Sequence, residues 1–176
     1  MGRPISLQTL PSICDVYSKQ LTQSIDGTKR DVVHNYIKNL QTMLNRIEHL
    51  GIAIKSLETS DHLFAKLLGK TPYKQEAVER EGVKTSFFMV GESKIELLEA
   101  TNPESPIAKF IDKKGEGIHH IAFAVEDILA AVERMKNDGF QPISTHPKNG
   151  ADNKLVFFFH PKSANGVLIE LCQEKM

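Results

Sequence analysis

The chain has little cysteine, no net charge and no long apolar run, and each shortage removes a class of function. Its 176 residues include two cysteines, Cys14 and Cys172, far apart and neither in a C-x-x-C pair. A thiolate zinc knuckle and a dithiol redox motif are therefore unsupported. Two reduced thiols suit a cytosolic or organellar-matrix compartment. Lys and Arg balance Asp and Glu, 22 against 22, for a formal net charge of zero. Binding nucleic acid through its phosphates needs a basic face, so no nucleic-acid partner is expected. No apolar run reaches the length of a membrane span, so no membrane partner is expected either. Glycine (11) and proline (8) are too few to suggest disorder. The length suits one domain, or two half-size units that share a core.

Residues 1–45 differ from the rest of the chain and read as an amino-terminal extension. They are basic and rich in Ser and Thr, with Arg3, Lys19, Lys29, Arg30 and Lys38 against Asp15, Asp26 and Asp31. Three readings stay open: a mitochondrial transit peptide, a helix from Asp31 to Leu44 on its apolar spacing, or a natural start at Met43. The expected location is the cytoplasm, or the mitochondrial matrix under the first reading. None of the three carries chemistry.

What the chain does have is an internal echo. Ile47-Glu48-His49-Leu50-Gly51-Ile52-Ala53 and Ile118-His119-His120-Ile121-Ala122-Phe123-Ala124 align with His49 on His120, small or apolar residues falling in the same places. His49 precedes Gly69 by 20 residues and His120 precedes Gly139 by 19. Ile95-Glu96-Leu97 answers Ile169-Glu170-Leu171, 47 and 50 residues after the respective glutamate's histidine. Self-similarity on this scale marks a duplicated module.

Local patterns give each copy the same order. Ile47–Lys55 reads as a strand, and Ser56–Gly69 as a helix with Leu57, Leu63, Phe64, Leu67 and Leu68 on one face, Thr59 or Ser60 capping its start and Gly69 stopping it. Tyr73–Val78, Val83–Val90 and Lys94–Glu99 come next as strands. The second copy reads as a strand His120–Val125, a helix Asp127–Asp138, an extended segment Phe140–Thr145, a polar loop 147–153, and strands Lys154–His160 and Val167–Cys172. The expected fold is α+β: two tandem βαβββ modules, 47–100 and 118–174, joined by a linker 101–117 with a short helix, within a domain spanning 46–176. Packing two such sheets together removes exposed edges.

Each copy offers one histidine on its first strand and one glutamate in its last. Ile95 and Leu97, like Ile169 and Leu171, point to the face opposite their glutamate. A pseudo-two-fold would bring His49, Glu96, His120 and Glu170 into one concave site. Two imidazoles and two carboxylates suit a divalent first-row metal of octahedral habit, with two positions left for water or substrate. A lone strand histidine or glutamate is more often structural or solvated; the matched pairs are what argue otherwise. Strict alternation sends His119 to the opposite face, as a structural residue. His34, His62 and His146 have no partner in the pattern.

From Arg46 to Glu174 the chain resembles the methylmalonyl-CoA epimerases of the vicinal oxygen chelate, or glyoxalase-like, superfamily. The paired His and Glu mark the superfamily. Gly-Val-Lys-Thr-Ser-Phe-Phe (82–88), Lys-Ile-Glu-Leu-Leu-Glu (94–99), Ser-Pro-Ile-Ala-Lys-Phe-Ile (105–111) and His-Pro-Lys-Ser-x-x-Gly-Val-Leu-Ile-Glu-Leu (160–171) point to the epimerases. The resemblance implies cobalt or manganese held by His49, Glu96, His120 and Glu170, a homodimer, and interconversion of (R)- and (S)-methylmalonyl-CoA through a metal-stabilised enolate. Inversion calls for two acid/base groups. Glu170 is the first candidate. Some epimerases place a glutamate where this chain has Thr85, which cannot act as a base at neutral pH; Glu96 or a bound water would take that part. Lys109, Lys154 and Lys162 are candidates for the CoA phosphates or the substrate carboxylate. The alternatives are a glyoxalase I-type lactoylglutathione lyase, against which the 105–110 and 160–163 motifs speak, and a non-enzymatic small-molecule-binding protein of the same fold, which would usually have lost the metal residues. An extradiol dioxygenase would leave one glutamate unexplained.

Overall fold

The computed structural model describes residues 44–175. The three readings of the amino-terminal extension fall on 1–45, of which 1–43 lie outside the described residues, as do Cys14 and His34. Leu44 packs against the buried cluster that includes Val125 and Phe157, and the Asn45 N–H donates to the Ala124 carbonyl. The described chain runs β1 (Arg46–Ile54), α1 (Leu57–Leu68), β2 (Lys74–Val78), β3 (Val83–Val90), β4 (Ser93–Ala100), α2 (Pro106–Lys114), β5 (Gly117–Ala124), α3 (Ile128–Asn137), β6 (Lys148–Asn149), β7 (Lys154–Phe159) and β8 (Leu168–Glu174). The α+β fold expected from the repeat is the one found.

All eight strands form one mixed sheet in the order β2-β3-β4-β1-β5-β8-β7-β6. The first strand of each copy pairs in parallel with its last, β1 with β4 and β5 with β8. The two copies meet where β1 and β5 run antiparallel. That seam is the axis of the pseudo-two-fold.

α1 and α3 cover the face away from the seam's polar residues, whereas α2 packs Ile107 on Ala53, Val83 and Leu98 beside those polar residues. Ile54, Leu57, Phe88 and Leu97 form a buried cluster under α1, with Phe64 and Leu68 packed on it, whereas Leu63 and Leu67, expected on the same face, stand exposed. Phe157, Phe159 and Leu171 meet Ile128, Ala131, Val132 and Met135 of α3. Leu97 and Leu171 thus lie on the helix side, as alternation around the two glutamates requires. The helix starts are matched too: Glu99 accepts the Leu57 N–H at 2.5 Å and Gln173 accepts the Ile128 N–H at 2.8 Å, each three residues after its module's glutamate. Ser56, rather than Thr59 or Ser60, caps α1; its hydroxyl accepts from the Thr59 N–H.

One expected strand is nearly absent. Of Phe140–Thr145, only Pro142 bridges to Phe159, and the outer strand is instead the two-residue β6 inside the segment read as loop. Pro142 and Pro147 lack the N–H that a continuous ladder needs. The sheet curls until this end faces β2. Lys148 reaches Glu81 at 2.8 Å, Lys74 reaches Asp152 at 3.2 Å, and the Asp152 N–H donates to Glu76 at 3.0 Å.

Candidate metal centre

The concave face holds the four residues singled out by the repeat. Gly51 pairs with Glu96 on one side and His120 on the other; Ala122 pairs with Glu170 on one side and His49 on the other. Laterally paired residues share a face, so these registers put all four side chains on one side of the sheet. They are at most 6% exposed. His49 Nε2 lies 2.8 Å from His120 Nε2, 3.1 Å from Glu96 Oε2 and 3.4 Å from Glu170 Oε2. His120 Nε2 lies 2.8 Å from Glu170 Oε2 and 3.7 Å from Glu96 Oε2.

These separations suit cis ligands, which stand roughly 3 Å apart when bonds to a metal are ~2.1 Å. The chemistry of the donors fits as well. Two Nε2 atoms facing each other at 2.8 Å need a proton or a cation between their lone pairs. Two carboxylates add negative charge to the same point. Burial alone would drive a proton off His49, but the charge of Glu96 and the hydrogen bonds to Glu170, Glu48 and Glu96 outweigh it and hold this imidazole well above its ordinary 6.5. Burial likewise opposes the charge on Glu170, yet the two histidines hold its carboxyl well below the usual carboxylate range. The pocket is built to contain positive charge.

Two residues that alternation missed complete the centre. The β1–β5 ladder slips between Ile47 and His49 and again between Gly51 and Ile52, which leaves Glu48 on one strand and His119 on the other without a paired residue. Each is a bulge residue immediately before a histidine of the site. The bulge turns its side chain inward. Glu48 Oε2 stands 2.5 Å from His49 Nδ1, and His119 Nδ1 stands 3.0 Å from His120 Nδ1. The expectation that His119 leaves from the opposite face is therefore corrected. It lines the cavity above the centre, its ring edge-on to Phe110 at 4.9 Å. Groups that hold the outer nitrogen of a ligating histidine fix its tautomer and aim. The sequence did offer a signal: aligned copies place an ionisable residue, Glu48 or His119, before each histidine.

The cavity has a volume of about 240 Å³ and apolar walls that include Val83, Leu98, Ile107, Val156 and Phe158. Glu96, His120 and Glu170 lie at its floor, and Arg80, Glu81 and Lys148 along its lining. Thr85 lines it too, 1% exposed, its hydroxyl meeting no hydrogen-bond partner within the protein. Phe87 pairs with Glu96 and Thr85 with Leu98, so Thr85 sits one pleat along from the Glu96 row on the same face. The three lysines proposed for anions are placed elsewhere. Lys154 is buried against Glu48 and Glu174, Lys109 pairs with Glu104 on the surface, and Lys162 lies in the turn Pro161–Ser163. The cationic side chains that line the cavity are Arg80 and Lys148.

Comparison with known proteins places this geometry. Residues 48–158 match the model of the Glyoxalase/Bleomycin resistance protein/Dioxygenase superfamily. An ethylmalonyl-CoA/methylmalonyl-CoA epimerase of Cereibacter sphaeroides is 41% identical over 74% of this chain and 99% of its own length. The mitochondrial methylmalonyl-CoA epimerase of Homo sapiens is 38% identical over 74% of each. A solved methylmalonyl-CoA epimerase in complex with methylmalonyl-CoA and NH4+ superposes with a TM-score of 0.72 at 32% identity, covering 74% of this chain and 95% of that one. The chain belongs to the glyoxalase/bleomycin resistance protein/dioxygenase superfamily, and within it to the methylmalonyl-CoA epimerases.

Proposed function

We propose that this chain epimerises methylmalonyl-CoA, with a divalent metal held by His49, His120, Glu96 and Glu170. The observation that carries the reading is that His120 Nε2, Glu96 Oε2 and Glu170 Oε2 all lie within 3.4 Å of His49 Nε2, beside an apolar cavity lined by Glu96, His120 and Glu170. Relatives that bear the epimerase name and one bound to methylmalonyl-CoA supply the substrate class.

The α-proton of a thioester is a weak acid, so its removal requires stabilisation of the charge left behind. A divalent ion in the site would supply Lewis-acid stabilisation of the oxygen where that charge develops, worth several kcal/mol. The apolar walls exclude water and keep the local dielectric low, which strengthens every charge interaction at the floor. Glu170 and Glu96 hold and move the proton. They come from β8 and β4, on either side of the β1–β5 pair, so the two carboxylates flank the histidines from opposite directions. Inversion of a carbon needs that arrangement: proton removal at one face and return at the other. Oε2 of Glu170 faces the imidazoles, while Oε1 accepts only a long hydrogen bond from the Cys172 thiol at 3.4 Å and is the oxygen left to exchange a proton. Thr85 offers an unused hydroxyl to a polar atom of the substrate, and Arg80 and Lys148 offer positive charge to the CoA phosphates. A second copy of the chain as homodimer partner, and cobalt or manganese as the ion, complete the reading.

The test is solvent exchange. Cobalt-loaded protein should wash deuterium from solvent into the α-position of methylmalonyl-CoA. Absence of exchange, with turnover of a glutathione hemithioacetal instead, would replace the epimerase reading by a lyase.

A further inference from the structure

Beneath the cavity wall runs a chain of charged groups that the proposed reaction does not use. His49 Nδ1 meets Glu48 Oε2 at 2.5 Å, Glu48 Oε1 meets Lys94 Nζ at 2.5 Å, and Lys94 Nζ meets Asp152 Oδ2 at 2.6 Å. Lys94 is His49's lateral partner on β4, which is why its ammonium reaches past the histidine. Glu48 is 2% exposed. Asp152 follows Gly150 and Ala151, both part of the cavity lining. Burying charges is a poor route to stability, since well-packed apolar side chains of the same volume usually do as well or better. What a buried chain of this kind provides is a fixed direction for its last member.

We infer that Asp152 is a remote positioning residue for His49, acting through Lys94 and Glu48, so that the cavity wall at Gly150–Ala151 and the metal centre are held as one unit. The inference rests on the proposed metal centre. Glu48 accepts the hydrogen bond of His49 Nδ1–H, which keeps the proton on Nδ1 and leaves the Nε2 lone pair for the ion. Lys94 holds Glu48 in that pose, and Asp152 holds Lys94. Glu76, which accepts the Asp152 N–H, and Lys74 fix the far end to β2.

The test measures Co²⁺ affinity and the visible spectrum of the Co²⁺-loaded full chain, without substrate. Glu48→Gln should bind Co²⁺ ~10–100-fold more weakly, the usual cost of losing an outer partner of a ligating histidine. Asp152→Asn keeps a residue type that tolerates the local φ of 50° and removes only the charge. It should lose about tenfold, the low end of that range, with a shifted Co²⁺ band; Lys94→Gln should do the same. The double variant Glu48→Gln/Asp152→Asn should bind no more weakly than Glu48→Gln alone, because both act on one path. Lys109→Gln removes an exposed ion pair with Glu104 that shares no member with this chain of groups, and should keep wild-type affinity. Wild-type binding and spectrum in Asp152→Asn, losses that multiply in the double variant, or an equal loss in Lys109→Gln would each overturn the inference while leaving the metal centre standing. Failure of the wild-type chain to take up Co²⁺ would instead remove the metal-centre reading, and this inference with it.

Discussion

The imidazole of His120 occupies the space that a side chain on Gly51 would fill. A Cβ built on Gly51 falls 2.1 Å from His120 Cε1 and 2.6 Å from Nε2. The two residues are lateral partners across the β1–β5 seam, so the ring lies directly over the bare Cα. Gly51→Ala should therefore push His120 off its aim. The cost in stability is that of modest overpacking, about 1–3 kcal/mol, whereas Co²⁺ affinity should fall by more than tenfold, on the scale of losing a group that aims a ligand. Chemical denaturation and metal titration on the same samples separate the two effects. Unchanged affinity would mean that the His120 ring has room to move aside.

Glu170 is asked to serve both the ion and the proton. Glu170→Ala should lose the metal and lower the exchange rate by ~10²–10⁴-fold, the usual worth of a positioned acid/base. Elemental analysis coupled to the deuterium assay reads both. A variant that kept its metal and its full rate would break the four-ligand assignment.

Thr85 carries a buried hydroxyl without a protein partner. An orphaned polar group costs ~1–3 kcal/mol, so the nearly isosteric Thr85→Val should raise the stability of the free protein by about 1 kcal/mol. The urea midpoint should rise with the m-value unchanged. The same variant should raise KM if the hydroxyl meets the substrate, while Thr85→Ser retains wild-type KM. A lower midpoint for Thr85→Val would show that the hydroxyl is already satisfied in the free protein.

Glu48 gives the metal-free protein a defined acid limit. Burial would raise its carboxyl, but the hydrogen bonds and charges of His49 and Lys94 overcome that and bring it from 4.5 to about 2. A depressed carboxylate contributes stability that is fully present above the unfolded value, and loses it as pH falls through the folded value. The window lies between 4.5 and about 2, and the contribution at stake is about 3 kcal/mol. Denaturation midpoints measured across that range should fall steeply for the wild type and less steeply for Glu48→Gln. Equal slopes would place the acid-sensitive group elsewhere.

The spacing of the repeat made the order of elements along the chain and the closeness of each copy's first and last strands readable from the sequence. It also picked out four side chains that lie on one face, because a two-fold needs only matched positions. Bulges were not readable. An extra residue in a ladder changes which face a side chain takes, and both copies carry it at the same place, so the alignment of Glu48 with His119 conceals the insertion. The reduced strand near Pro142 was misjudged for a different reason: local β-propensity ignores whether an N–H exists to be paired. Of the three lysines offered as anion candidates or plain surface residues, Lys154 is occupied by Glu48 and Glu174, partners that linear sequence does not reveal.

The β1–β5 seam has one more consequence. Each half of the sheet brings one imidazole and one carboxylate, so neither half could grip an ion firmly without the other. An ion seated there would rivet the two halves together and tie binding to their correct union. Its contribution to holding them would grow with the logarithm of its free concentration over its dissociation constant. The temperature at which this protein comes apart would then be set partly by its metal supply.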